Sequence, residues 1–454
     1  MQRIWAEQVL TAAGWRKNCA ITIGDDGRIA EIAADTTPTS GGYGCLIAAP
    51  VNAHSHAFQR AMAGLSEGRG PNPQDSFWTW RKLMYRFLDH LDPDQVQAIA
   101  AYTQMEMLEA GYATNVEFHY LHHGPGGTPY ANLSELSERI VAAGLETGIG
   151  LTLLPVLYQY GGCDRRELEG GQRRFGNDPD RFAQLFDGAT TAMRQGPADW
   201  TTGAAPHSLR AVSPEGMTAS VSLAPDGPLH MHLAEQLAEV EEVAAALGAR
   251  PVEWVLDNLR PDGRWNFVHC TQMLPHETKG LARSGAQAVL CPITEASLGD
   301  GIFDGVNWLR HGGALAIGSD SNIRISLSEE LRQLDHSQRL RDHSRAALAT
   351  PGRSTGRRLL DAAATGGAMS AGRETGPLDV GQWADIVALD LTDPDMTGLT
   401  EDKILDTFIF ARDDRLITDV WTAGRHMVSG GRHVHRDRIT ASYRQAIAGL
   451  RNNL

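Results

Sequence analysis

Cysteine is scarce in this chain and lysine scarcer. Its 454 residues include five cysteines, an odd number at no regular spacing, so no disulfide framework is expected. A reducing, cytoplasmic setting is the expectation that follows. Basic charge is in deficit, with 41 Lys and Arg against 55 Asp and Glu and a net charge of -14. Phosphate binding wants a basic face, so no nucleic-acid partner is expected. No apolar run is long enough to span a bilayer, and Met1-Gln2-Arg3-Ile4-Trp5 lacks the core of a signal peptide. No membrane partner is expected either. Short-period repeats and low-complexity tracts are missing as well. What remains is an ordinary globular composition, 42% hydrophobic, with material for a large core.

Two β-rich segments lie at opposite ends, over 1–46 and 373–454. Ile21-Thr22-Ile23 and Ile29-Ala30-Glu31-Ile32 flank a Gly24-Asp25-Asp26-Gly27 hairpin signal. Asp385–Asp390 and Ile417–Val428 give further short strands near the other end. Between them, over 47–372, strands alternate with helical stretches. The predicted strands are 45–56, 113–120, 149–159, 204–212, 229–235, 265–270, 288–292 and 314–320. Asp92-Pro93 before Gln95–Ala110, closed by Gly111, supplies an N-cap, a first-turn proline and a glycine stop. Eight such alternations predict a (β/α)8 TIM-like barrel, with its active site where the strands' C-terminal ends meet. The Gly- and Arg-rich stretch 161–176 reads equally as a mobile lid or a plain exposed loop.

Chemistry gathers at the strand ends. His54 and His56 stand two apart at the end of the first predicted strand, so both point the same way. His232, with Glu235 three residues on, ends the fifth; His269 ends the sixth; Asp320 ends the eighth. Three imidazoles (His54, His56, His232) and the Asp320 carboxylate, with room for water, describe a catalytic metal site rather than a closed structural one. Zinc suits these ligands best, and iron(II) or another divalent ion also fits them. Lysine occurs only at 17, 82, 279 and 403, so none on strand four can be a carbamylated bridge between two metals. One metal is expected. His433-Val434-His435 repeats the ligand spacing but sits among arginines and reads as a solvated strand or hairpin. His119, His122 and His123 cluster after strand two without a predicted role, and His230 yields to His232 because Glu235 then reaches the same cavity.

The leftover groups suggest hydrolysis of a C–N or C=N bond with ammonia leaving. Asp320 can hold the attacking water and take its proton, and His269 can hydrogen-bond the tetrahedral centre. Glu235 can protonate a substrate nitrogen, or else orient a histidine ligand.

At these residues the chain resembles the amidohydrolase superfamily, over nearly its whole length. The resemblance is carried by His54–Gly64, Pro206–Arg210, His232–Gln236 and Thr294–Gly301. Phe58-Gln59-Arg60 and His207-Ser208-Leu209-Arg210 match one branch, which removes ammonia from N-formimino-L-glutamate in histidine degradation. The resemblance implies that the two end segments pair into a small β-sandwich, that the enzyme is a homodimer, and that it holds a single zinc. It places the metal ligands on His54, His56, His232 and Asp320 and the proton-handling pair on Glu235 and His269. Substrate-binding positions fall on Gln59, Arg81, Tyr120, His207 and Arg210. A small dicarboxylate substrate suits arginine's two-pronged grip on carboxylates. The rivals are a guanine-, adenosine- or S-adenosylhomocysteine-type deaminase, which should favour base-stacking aromatics over arginines, and a catalytically dead scaffold barrel, which should have lost ligands.

Overall fold

The central strands are buried along almost their whole length, as parallel strands covered by helices must be. In this computed structural model, residues 1–38, 41–68 and 77–451 are described, with backbone alone at 77–79, 81 and 82. The barrel strands are β5 (Val51–Ser55), β6 (Thr114–His119), β7 (Gly150–Leu157), the pair β8 (Thr201–Thr202) and β9 (Ala205–Pro206), then β10 (Leu229–Leu233), β11 (Trp265–His269), β12 (Gln287–Leu290) and β13 (Ala314–Ile317). Parallel pairing runs β5 to β8 and β10 to β13, and single bridges Ala204–Leu229 and Ser55–Asp320 close the ring.

The end segments share one sheet. It contains β1 (Gln2–Thr11), β2 (Gly14–Ile23), β3 (Ile29–Ala33), β4 (Tyr43–Ala48), β14 (Ile386–Leu389), β15 (Ile417–Thr422), β16 (Arg425–Ser429) and β17 (Arg432–His433), in the order β17-β16-β15-β14-β4-β1-β2-β3. Alternation decides which core each side chain enters. Cys45 and Ile47 of β4 pack with the barrel, whereas Leu46 and Ala48 join Ile21, Ile386 and Trp421 in a separate core. A buried ion network ties sheet to barrel: Arg373 donates to Asp385 and Asp199, and Arg425 also donates to Asp199.

Two strand expectations are corrected. The first strand, expected over 45–56, is two strands in two sheets. Pro50 cannot donate to a ladder, and the chain changes sheets at Ala49-Pro50, between β4 and β5. The fourth, expected over 204–212, is only the fragments β8 and β9. Gly203 stands between them, where a Cβ would come 2.3 Å from the Pro228 carbonyl, and the strand ends at Pro206, beyond which the chain turns. The capped helix stands as expected, at Pro93–Glu109, with Asp92 and Gln95 forming a reciprocal cap.

The 161–176 stretch is fastened rather than free. Arg174 is fully buried and donates to the carbonyls of His123, Leu88 and Leu91. His433 is likewise not solvated: it is buried, with Nε2 2.9 Å from the Thr147 carbonyl, while His435 is exposed. A hidden polar partner on another element carries no mark in the local sequence.

His119, His122 and His123 are all buried. Burial holds the His119 imidazole down from 6.5 to about 3. The unfolded chain takes up this proton below about 6.5 and the folded one does not, so stability is whole above that pH and is lost as pH falls toward 3. At pH 5 the cost is about 2 kcal/mol. Denaturant melts at pH 7.5 and pH 5 should therefore show His119→Leu losing less stability than wild type by about that amount. Equal losses would contradict the burial of a neutral ring.

Candidate active site

Four donor atoms converge where β5, β10 and β13 end. His54 Nε2 lies 3.2 Å from both His56 Nε2 and His232 Nε2, and His56 Nε2 lies 3.1 Å from Asp320 Oδ1. All four ligand atoms fall within 4.8 Å of one another, and all four residues are buried. Asp320 reaches this place because the chain bends after β13: its φ is +45°, in the left-handed region. Its N–H donates to the His54 carbonyl and its carbonyl accepts from the His56 N–H, so the turn is sewn to the first barrel strand. Asn52, Ser319 and Asn322 form a buried hydrogen-bonded chain beneath it.

The ring tautomers suit a cation. His56 Nδ1 lies 3.0 Å from the Phe118 carbonyl and His232 Nδ1 3.2 Å from the His207 carbonyl. A carbonyl can only accept, so each Nδ1 carries the proton and each Nε2 turns a lone pair inward. Burial and the neighbouring imidazoles hold His54 and His232 well below the ordinary histidine range, hence neutral. Burial alone would raise the Asp320 carboxyl, but the imidazoles of His56 and His269 beside it hold it below its usual value. Lone pairs packed at 3.2 Å with a carboxylate are a donor set that fits a divalent metal.

Beside this cluster stand Glu235 and His269. His269 Nε2 is 3.9 Å from Glu235 Oε1, too long for a hydrogen bond, and its Nδ1 is 3.3 Å from Glu295 Oε1. Burial raises the Glu235 carboxyl above its ordinary value, with the charges of His269 and Arg210 opposing. Its backbone is clamped: Glu239 accepts the N–H groups of Ala234 and Glu235, and Thr271 Oγ1 donates to the Glu235 carbonyl at 2.7 Å. Ala234, His269 and Cys270 all have positive φ, so strained backbone collects at these strand ends.

These groups line a pocket of about 550 Å³, its open mouth included, together with Gln59, Tyr120, His207, Arg210 and an apolar wall of Trp80, Met84, Phe175 and Leu298. Gln59 Nε2 donates to the Tyr120 hydroxyl at 2.7 Å, leaving its buried Oε1 without a partner. The buried Nε of Arg210 also lacks an acceptor. The structure thus brings together every site residue expected from sequence except Arg81, whose side chain lies outside the described residues. The backbone of Arg81 belongs to the helix Phe77–Leu88, which sends Trp80, Met84 and Tyr85 into the pocket.

Comparison with known families matches residues 45–427 to the amidohydrolase family. The chain belongs to the amidohydrolase family. Residues 1–42 match a second family, described as the N-terminal domain of formimidoylglutamate deiminase HutF. The amidohydrolase is 44% identical to the formimidoylglutamate deiminase of Pseudomonas aeruginosa, over 99% of this chain and 100% of that one. A 5-methylthioadenosine/S-adenosylhomocysteine deaminase of Halobacterium salinarum is 27% identical over 81% of this chain and 79% of its own. Among solved structures, an amidohydrolase from Brucella melitensis superposes with a TM-score of 0.95 at 44% identity, covering 99% of this chain and 100% of that one. A zinc-bound adenosine deaminase from Xanthomonas campestris shares the fold, with a TM-score of 0.83 at 21% identity, covering 99% and 98%.

Sequence reasoning missed the carboxylates of this amidohydrolase that hold other site residues in place. Glu239 sits on the helix Leu237–Leu247 with nothing in its neighbours to mark it. Glu295 lies inside Thr294–Gly301, a stretch singled out in sequence but given no role there. Tyr158 and Phe175, on the third strand's extension and the fastened loop, also escaped notice, since aromatic residues there read as ordinary core.

Proposed function

We propose that this amidohydrolase hydrolyses N-formimino-L-glutamate to N-formyl-L-glutamate and ammonia. The observation that carries it is Arg210: a partly buried guanidinium whose buried Nε has no acceptor, lining the pocket beside the acids and imidazoles. A buried donor left unpaired is costly, so its natural occupant is a bound acceptor, and a carboxylate suits it best. Likeness to a formimidoylglutamate deiminase over 99% of the chain supports the same substrate.

His54, His56, His232 and Asp320 hold one divalent ion, zinc by ligand chemistry, and when bound it supplies a water that loses its proton near neutral pH. Asp320 accepts that proton through its carboxylate. His269 Nε2 faces the carbon under attack and steadies the oxygen added to it. Glu235, whose carboxyl burial raises above its ordinary value, gives its proton to the imino nitrogen as water adds to the carbon. The proton taken by Asp320 then reaches the same nitrogen, the C–N bond breaks and ammonia leaves, and the added hydroxyl returns its proton to Glu235. Gln59, Tyr120 and His207 orient the formimino end, and Arg210, with Arg81, takes the carboxylates. The same reading includes a homodimer working in a reducing cytoplasm. No helix among the described residues is long and apolar enough to cross a membrane.

The distinguishing assay is ammonia release from N-formimino-L-glutamate, guanine and S-adenosylhomocysteine side by side. The formimino substrate should exceed both heterocycles in kcat/KM by about 1000-fold or more, since a site built around a substrate's polar groups rejects ligands lacking them. Comparable rates on either heterocycle would overturn the substrate assignment.

A further inference from the structure

The segment Thr294–Gly301 touches the supports of all three proton-handling side chains. Thr294 Oγ1 lies 2.9 Å from Ser321 Oγ and 3.3 Å from the Ser319 carbonyl, on either side of Asp320. Asp300 accepts a hydrogen bond from Gln236, the residue after Glu235. Between these two contacts, Glu295 Oε1 sits 3.3 Å from His269 Nδ1.

Glu295 has a second bond that could explain its presence more plainly. The same Oε1 accepts the backbone N–H of Cys291 at 2.8 Å, the residue that caps the helix Pro292–Leu298. A helix cap accounts for that contact and needs no histidine. It does not account for the side chain's approach to His269, which is buried with its backbone at φ +73°. A carboxylate can only accept, so a ring bonded to it at Nδ1 carries its proton there. Nε2 then faces the opposite way, across a 3.9 Å gap, to Glu235 Oε1.

We infer that Glu295 is a positioning residue: it takes the Nδ1–H of His269 and so fixes Nε2 as the nitrogen turned toward Glu235 and the reacting water. This rests on the role proposed above for His269.

A double-mutant cycle on the metal-loaded enzyme tests it, with kcat and KM measured separately. E295A should lower kcat by about tenfold to a hundredfold while KM changes less than about threefold. In an H269Q background the same substitution should cost less than about threefold, because the group it acts through is already gone. E295Q, which keeps a carbonyl acceptor, should restore kcat to within about threefold of wild type. An equal loss in both backgrounds, wild-type kcat in E295A, or an E295Q as poor as E295A would overturn the inference. Should E295A not fold, E295M fills the same volume without a strong acceptor and enters the cycle in its place. Wild-type release of ammonia from N-formimino-L-glutamate is measured alongside. Its failure would remove the substrate assignment alone, since the cycle reads equally on whichever substrate the enzyme turns over.

Discussion

Glu235→Gln keeps its metal and loses turnover by about a hundredfold to ten-thousandfold, the usual worth of a general acid. That loss corresponds to about 3 to 5 kcal/mol of barrier. Glu235 is not among the four converging ligands, so removing its charge leaves the donor set whole. The Glu239 and Thr271 clamps grip its backbone, so the glutamine stands in the same place. What disappears is the carboxyl that burial shifts toward its protonated form. Turnover of N-formimino-L-glutamate, measured beside metal content, checks this. A variant with near-normal kcat would remove the acid role, whereas a variant that lost both metal and activity would make Glu235 a support of the ligands.

Arg210→Met weakens kcat/KM by about 30-fold or more, mainly through KM, because truncating one partner of a buried charge pair costs about 2 to 5 kcal/mol. Methionine fills the stem's volume but cannot grip a carboxylate. The effect should track the substrate's charge: neutralising its carboxylates as amides should slow the wild type sharply and the variant little. Arg210 also lies near Glu239, whose charge raises its pKa against burial, so melting temperature and metal content are measured as controls. An unchanged kcat/KM in a folded, metal-replete variant would rule out carboxylate recognition at this position.

The metal ligands and the barrel were legible because they obey local rules. His54 and His56 share a face by strand periodicity, and each later ligand stands at the end of an apolar run that could only be a barrel strand. Where local rules ran out, so did the sequence. Nothing in the apolar run Cys45–Val51 marks that it serves two sheets until the proline between them is weighed as a missing donor. The fourth strand is short because the chain turns away beyond Pro206, with no glycine in 207–212 to announce it. Glu295 acts by reaching across to another element, and an acid on a helix face looks the same whether it meets water, a nearby backbone N–H as Glu239 does, or a catalytic histidine. His433 was misread as solvated for the same reason: its partner, the Thr147 carbonyl, is far away in the chain.

The central claim is that His54, His56, His232 and Asp320 share one ion. Anomalous diffraction at the zinc edge, on crystals of protein prepared without chelator, tests it most directly. One peak per chain is expected, about 2.0–2.2 Å from each of the three Nε2 atoms and from an Asp320 carboxylate oxygen. A featureless map there from active enzyme, or a peak held by other residues, would contradict it.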